Sequence, residues 1–210
     1  DKINGITCCP GNNYWQQYES DEINSDNYNV PIIENTNIIE RPADQKTITK
    51  RFTDKTIDFI EKNKTDNFFS YLAHSMPHTP LYASEDFYGN SKAGLYGDVI
   101  EEIDFNMGRI MKKLIDENLH KNTIVVFTSD NGPWLPYDTH GGSAGLLREG
   151  KGTTWEGGQR VPCIVKYPNK NNSGTVIDEP LMGIDWLPTF ANVTGSRMSS
   201  NKIDGKNIWP

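Results

Sequence analysis

Residues 123–132 read Thr-Ile-Val-Val-Phe-Thr-Ser-Asp-Asn-Gly, an apolar run that ends in a carboxylate and an amide. The run predicts a buried strand from Asn122 to Ser129, because short segments rich in β-branched residues are typical of strands. Asp130 and Asn131 then place two hard oxygen donors at a sheet edge, where a divalent cation can bind. Taken alone, the triplet Asp-Asn-Gly is more typical of a turn.

Two segments upstream predict where this strand lies. Phe68 to Ala73 is short, apolar and aromatic and predicts a buried strand, and Leu95 to about Glu117 has an apolar stripe at helical spacing. A strand, a helix and a strand in this order form a crossover between parallel strands. Because parallel strands end at the same sheet edge, we expect His78, after the first strand, to lie near Asp130.

Further elements complete a predicted α/β core over residues 46–210. We expect a helix from about Ile48 to Lys64, a strand from Val161 to Lys166 and a short capped helix from Asp185 to Val193. Residues 1 to about 45 are polar and rich in Asn, and we expect a long surface excursion there.

Composition limits the classes of partner. The chain has 210 residues, enough for one domain, and its net charge of −7 argues against nucleic acid as a partner. No signal peptide and no apolar run of membrane-spanning length is present. Cys8, Cys9 and Cys163 make no disulfide framework. The chain begins at Asp1, and we expect it to be a piece of a longer protein, truncated at both ends.

Lys151 and His78 are the candidate anion-binding residues. Lys151 lies in the run Gly150-Lys-Gly-Thr-Thr-Trp-Glu-Gly-Gly158, where glycines allow close approach to a ligand and the ammonium suits a tetrahedral oxyanion. The alternative is a solvated lysine in a Gly-rich loop. His78 lies between Pro77 and Pro80 and can protonate a departing oxygen near neutral pH, or it is simply a surface histidine.

Neighbouring residues have less specific predictions. His74 is a weaker candidate than His78 and can instead end the strand. Trp134 and Tyr137 follow the Asp-Asn-Gly triplet, where they either flank an aromatic or sugar substrate or pack within the loop. The charged residues around Lys151 are interpreted as a rim; they are Arg148, Glu149, Glu156 and Arg160.

These motifs together resemble the C-terminal part of the catalytic domain of a type I sulfatase of the arylsulfatase kind. The resemblance extends over most of the chain, although residues 1 to about 28 match poorly. Besides Asp130-Asn131-Gly132-Pro133 and Gly150–Gly158, the segments that carry it include Phe68–Ala73, Pro77-His-Thr-Pro-Leu81 and Ile203–Pro210.

The resemblance implies a fold, an activity and roles for residues. The fold would be α/β, a mixed and largely parallel sheet flanked by helices, as in the alkaline-phosphatase-like superfamily. The activity would be metal-assisted hydrolysis of a small-molecule or saccharide sulfate ester. Asp130 and Asn131 would bind Ca²⁺ or Mg²⁺, and Lys151 and His78 would contact the sulfate and the leaving oxygen. The family also suggests a secreted, periplasmic or lysosomal protein, with any signal peptide upstream.

The nucleophile of this family is formylglycine, made from the cysteine of a Cys-x-Pro-Ser/Ala-Arg motif. Cys8 has a proline at the right offset, but Gly11 and Asn12 stand where Ser and Arg are required. We therefore expect the nucleophile to come from a cysteine outside this chain, and the chain alone to be inactive. Two alternatives remain: a related metal-dependent phosphoesterase or phosphonate hydrolase, and a non-catalytic homologue of the fold.

Overall fold

Six strands and four helices are present in the computed structural model, which describes residues 2–3, 6–7, 30–168, 173–198 and 202–209. They are β1 Lys2–Ile3, β2 Ile6–Thr7, β3 Ile32–Glu34, β4 Asn37–Glu40, α1 Ile48–Asn63, α2 Gly94–Asp116, β5 Val125–Thr128, α3 Glu156–Gln159, β6 Cys163–Lys166 and α4 Trp186–Thr194. Short 3-10 helices lie at Gln45–Thr47, Leu119–Lys121, Leu135–His140 and Gly183–Asp185. Cys8, Cys9 and most of the predicted surface excursion lie outside the described residues.

The long helices form where the apolar spacing predicts them. In α2 the predicted stripe is buried at Val99, Ile103, Ile110 and Leu114. The C-terminal half of this stripe packs against Ile60 of α1. Burial of each such side chain contributes roughly 1.5–3 kcal/mol, so this helix pair is a main source of stability. No helix in the described ranges is both long and apolar enough to cross a bilayer.

The N-terminal half of α2 supports the loop that carries His78. Met76 and Leu81, on either side of that loop, are buried against Val99 and Ile103. Because both ends of the loop are anchored in the core, the position of His78 between them is restrained.

Two buried carboxylates on α2 hold the chain that follows this loop. Asp98 accepts the backbone N–H groups of Gly89 at 2.8 Å and Ser91 at 2.7 Å. Glu102, one turn along, accepts the N–H of Ser84 at 2.9 Å. A buried carboxylate is stable when hydrogen bonds replace its hydration, and here the backbone supplies them.

The strand before Asp130 forms, but its pairing differs from the predicted one. β5 pairs with β6 in an antiparallel register, Val125 opposite Lys166 and Thr128 opposite Cys163. Every strand pair in the described residues is antiparallel, so the largely parallel sheet is not seen there. The sequence predicted the positions of β5 and β6 correctly, but β5 is half-buried to exposed and not the buried strand that was expected. Apolar runs mark strands but do not specify their partners.

The prediction of a buried strand at Phe68–Ala73 is wrong for the described residues. This segment forms no strand ladder, and Phe69 and Tyr71 are 71% and 83% exposed. Its side chains still alternate: Phe68 and Leu72 pack on the α1–α2 cluster, whereas Phe69 contacts Phe190 of α4 with ring centroids 6.3 Å apart. The apolar alternation is that of a strand, but a strand also needs a hydrogen-bonded neighbour.

Candidate functional site

The loop with two prolines presents the imidazole of His78. The His78 backbone N–H donates to the carbonyl oxygen of Ser75 at 3.2 Å, closing a turn. His78 Nδ1 lies 2.6 Å from the carbonyl oxygen of Thr79. A carbonyl oxygen can only accept, so Nδ1 carries the hydrogen and donates it. In the neutral ring, Nε2 is therefore an acceptor that faces away from the loop.

Lys151 reaches His78 from a distant part of the chain. Its Nζ lies 3.0 Å from His78 Nε2, although the two residues are 73 positions apart. The ammonium can only donate, which agrees with an acceptor Nε2 on His78. The structure thus brings together the two residues that the sequence proposed as anion ligands.

Close backbone contacts between two loops place Lys151 there. The Lys151 N–H donates to the carbonyl oxygen of Pro133 at 2.8 Å, and the Gly132 N–H donates to Gly158 at 3.1 Å. A Cβ on Gly132 would lie 1.8 Å from the carbonyl oxygen of Gly157, a distance that no side chain tolerates. Glycine at position 132 therefore lets the loop after β5 and the loop of Lys151 touch.

Trp134 lies against both candidate anion ligands. Lys151 Nζ is 5.0 Å from the centre of the Trp134 ring, in cation–π range, and the His78 ring centroid is 5.8 Å away. Tyr137 packs on the same tryptophan at 4.1 Å. Sequence reasoning left Trp134 undecided between substrate and loop packing. The sequence showed only an aromatic residue two positions after Gly132. The residues that Trp134 contacts, Lys151 and His78, are distant in sequence, so nothing in the sequence indicated the contact.

Asp130 and Asn131 follow the end of β5 and directly precede Gly132, whose N–H contacts the loop of Lys151. The Asn131 amide Nδ2 donates a short hydrogen bond to Asp130 Oδ1, and Ser129 Oγ donates to the carbonyl oxygen of Asn131 at 3.0 Å. A carboxylate and an amide oxygen suit a hard cation, and half a turn of the Asn131 amide puts its oxygen beside Asp130. In the described part of the chain, no three His, Cys, Asp or Glu side chains form a metal-binding group. The pair fits as part of a calcium or magnesium shell.

Three of the charged residues near Lys151 have partners of their own. The Arg148 guanidinium lies 3.7 Å above the Trp155 ring, and Arg160 pairs with Glu156 at 3.2 Å. These contacts fit the predicted charged rim. Within the described ranges, neither Lys151 nor His78 forms an ion pair with a carboxylate.

His74 differs from His78 in its surroundings. Both of its ring nitrogens are buried and have no hydrogen-bond partner among the described residues. Burial lowers the pKa of the His74 imidazole, which favours its neutral form. This environment is that of a packed histidine before the loop.

Comparisons with known proteins identify relatives of this chain. The sequence profile of the Sulfatase family matches residues 4–196. The chain is 36% identical to human steryl-sulfatase, over 87% of this chain and 32% of that protein. It is 38% identical to the arylsulfatase of Hemicentrotus pulcherrimus, over 83% of this chain and 32% of that protein. It therefore spans about a third of the length of these relatives.

The structure has relatives as well. The crystal structure of Ps i-CgsB in complex with k-i-k-neocarrahexaose superposes with a TM-score of 0.75 at 32% identity, covering 86% of this chain and 41% of that one. The structural relatives are sulfatases with the alkaline-phosphatase-like fold, which confirms the predicted superfamily, whereas the predicted largely parallel sheet is not seen in the described residues.

Proposed function

This chain belongs to the sulfatase family, and on that premise we propose that it is the C-terminal part of the catalytic domain of an arylsulfatase-like sulfuric ester hydrolase. We use "parent enzyme" for the longer protein that would contain it. The contact between Lys151 and His78, 3.0 Å apart and without a carboxylate counter-ion in the described residues, is the observation that carries the proposal.

Lys151 and His78 would bind the sulfate group of the substrate. A sulfate ester carries a negative charge on its outer oxygens, and an ammonium without a counter-ion is a strong partner for them. Arrival of the anion gives the Lys151 hydrogens better acceptors than His78 Nε2. Nε2 then takes a proton from solvent water, which it can donate to the ester oxygen.

His78 would supply the proton that the leaving alcohol needs. When the bond between sulfur and the ester oxygen breaks, the electron pair stays on that oxygen, and a proton on Nε2 neutralises it. The Thr79 carbonyl, which accepts from Nδ1 at 2.6 Å, supports this step because it stabilises the doubly protonated ring. Lys151 would share the charge that develops on the same oxygen.

Catalysis would also need a metal ion and a nucleophile, and the nucleophile would come from outside this chain. Asp130 and Asn131 would hold calcium or magnesium, which when bound supplies positive charge that polarises the sulfate and orients the nucleophile. Formylglycine, from a cysteine outside this chain, would supply the nucleophile. The substrate class is a small-molecule or saccharide sulfate ester; one relative is named a steryl-sulfatase and another was solved with a neocarrahexaose.

An assay of the parent enzyme tests this function directly. An aryl sulfate and the matching aryl phosphate would be compared at equal concentration, with calcium and with magnesium. We expect preferential hydrolysis of the sulfate and its loss in Lys151→Ala enzyme. Preferential hydrolysis of the phosphate would instead identify a phosphoesterase, and turnover of neither by properly matured enzyme would identify a non-catalytic homologue.

A further inference from the structure

Trp134 contacts three aromatic or charged groups at the candidate site. Lys151 Nζ lies 5.0 Å from its ring centre, the His78 ring 5.8 Å away and the Tyr137 ring 4.1 Å away. Tyr137 is itself only 6% exposed and packs against the Trp134 ring. With these groups against it, the ring is better placed to hold side chains than to stack on a sugar or an aryl group.

The backbone of Trp134 is fixed on both sides. Its N–H donates to the carbonyl oxygen of Gly141 at 3.0 Å, and its own carbonyl accepts the N–H of Tyr137 at 2.9 Å. A Cβ on Gly141 would lie 2.1 Å from the Trp134 carbonyl oxygen. The preceding residue, Pro133, accepts the backbone N–H of Lys151. The indole and the lysine are thus attached to the same short stretch of backbone.

An aromatic face is suited to holding an ammonium that must bind an anion. The ring quadrupole attracts the cation without cancelling its charge. A carboxylate at this position would neutralise Lys151 and compete with an anionic ligand. An aliphatic side chain would fill the same space without orienting the ammonium. Tryptophan has the strongest face of the aromatic residues for this purpose.

We propose that Trp134 is a positioning residue that holds the Lys151 ammonium against His78 through its π face, and so keeps both groups ready for the sulfate. This inference rests on the proposed function, since it takes Lys151 and His78 to be the sulfate ligands. Trp134 itself does not contact the reacting atoms.

Sulfate binding by the parent enzyme separates the π face from simple packing. Inorganic sulfate would be titrated into the protein and followed by NMR at the His78 ring and the Lys151 side chain. We compare Trp134→Phe, which keeps an aromatic face, with Trp134→Leu, which does not. Trp155→Leu is the matched control, because Trp155 carries the cation of Arg148 at 3.7 Å on the rim.

The expected order of sulfate affinities follows from the strength of the cation–π contact. Trp134→Leu weakens binding about 5- to 10-fold, Trp134→Phe no more than about 3-fold, and Trp155→Leu leaves it unchanged. The protons next to Lys151 Nζ are shifted upfield by the ring current in the unsubstituted enzyme and in Trp134→Phe, and lose this shift in Trp134→Leu.

Other outcomes overturn one idea or both. Equal losses in the Phe and Leu variants would show that Trp134 only packs. Unchanged binding in Trp134→Leu, with binding lost in Lys151→Ala, would overturn the role of Trp134 and leave the proposed function standing. Failure of the unsubstituted parent enzyme to bind sulfate at His78 and Lys151 would overturn both.

Discussion

The lysines of the α1–α2 helix pair and the lysine of the candidate site differ in whether they have carboxylate partners. Between the helices, Lys64 pairs with Glu61 at 2.7 Å and with Glu117 at 3.0 Å, and Lys113 contacts both of these carboxylates as well. At the site, Lys151 contacts a ring nitrogen of His78 and the face of Trp134, with no ion pair to a carboxylate in the described residues.

The difference separates charges that hold the scaffold together from a charge that, under the proposed function, would bind a ligand. In the network, each cation lies between two anions, so the groups satisfy one another. An uncompensated lysine is costly for the fold unless solvent or a bound anion stabilises it, and such residues concentrate at functional sites. Lys151 therefore differs from Lys64 and Lys113 in its neighbours, although its residue type is the same.

The largest effect on activity is expected for the chain alone, because its site is incomplete. The 210-residue chain alone should not hydrolyse an aryl sulfate, because positioning and charge without a nucleophile act on bulk water alone. The measurement is an assay of the purified chain with calcium, beside a Cys8→Ala control. Turnover that the Cys8 substitution abolishes would show that the nucleophile lies within this chain.

Removal of Lys151 should have the next largest effect. In the parent enzyme, Lys151→Ala should lower kcat/KM for an aryl sulfate about 10²- to 10³-fold, the loss typical of one group that stabilises developing negative charge. The control is Lys112→Ala, which removes an exposed lysine on α2 that pairs with Asp116 at 2.6 Å. Similar kinetics in the two variants would show that Lys151 contributes no more to activity than Lys112 does.

Loss of the Asp130 carboxylate should weaken metal binding. We expect Asp130→Ala to lower calcium affinity of the parent enzyme by at least about 10- to 100-fold and to lower activity with it, since even residues that only orient metal ligands have effects of this size. Asn131→Asp should be milder, because it keeps an oxygen donor and adds charge. Calcium titrations monitored by calorimetry measure both, and an unchanged affinity in Asp130→Ala would exclude that carboxylate as a ligand.

The smallest effect concerns the helix network and its dependence on pH. Hydrogen bonds from Lys113 and Lys64 lower the pKa of the Glu61 carboxyl to about 2. A carboxyl with a lowered pKa in the folded state stabilises the fold above its ordinary pKa of about 4.3, and this contribution is lost as pH falls from there toward 2.

Glu61→Gln should therefore make the urea midpoint less sensitive to acid in that range. Glu101→Gln is the control, because Glu101 is exposed on α2 and forms no ion pair within the described ranges. The stability difference should be modest, as exposed ion pairs contribute little. Parallel pH profiles for Glu61→Gln and the unsubstituted chain would show that the network has no energetic role.

Much of the helical layer could be predicted from local spacing. The apolar stripe of α2 was identified correctly, because periodicity reflects which face of a helix is buried. The positions of β5 and β6 were also identified correctly, but β5 is not the buried strand that was expected. The expected strand at Phe68–Ala73 shows the limit of such signals: its alternation is present, but among the described residues it has no ladder partner. Side-chain pattern is local, whereas strand pairing depends on distant segments.

The sequence by itself determined which residue types can do chemistry: a carboxylate and amide at Asp130 and Asn131, a lysine between glycines, and a histidine between prolines. Only the tertiary structure decided that Lys151 meets His78, that Trp134 lies against both, and that Gly132 must be glycine because the Gly157 carbonyl occupies the space of a Cβ. The reason is that these contacts join segments far apart in the chain. Their geometry depends on how the loops after the strands fold onto the helical core, and local sequence carries no record of that.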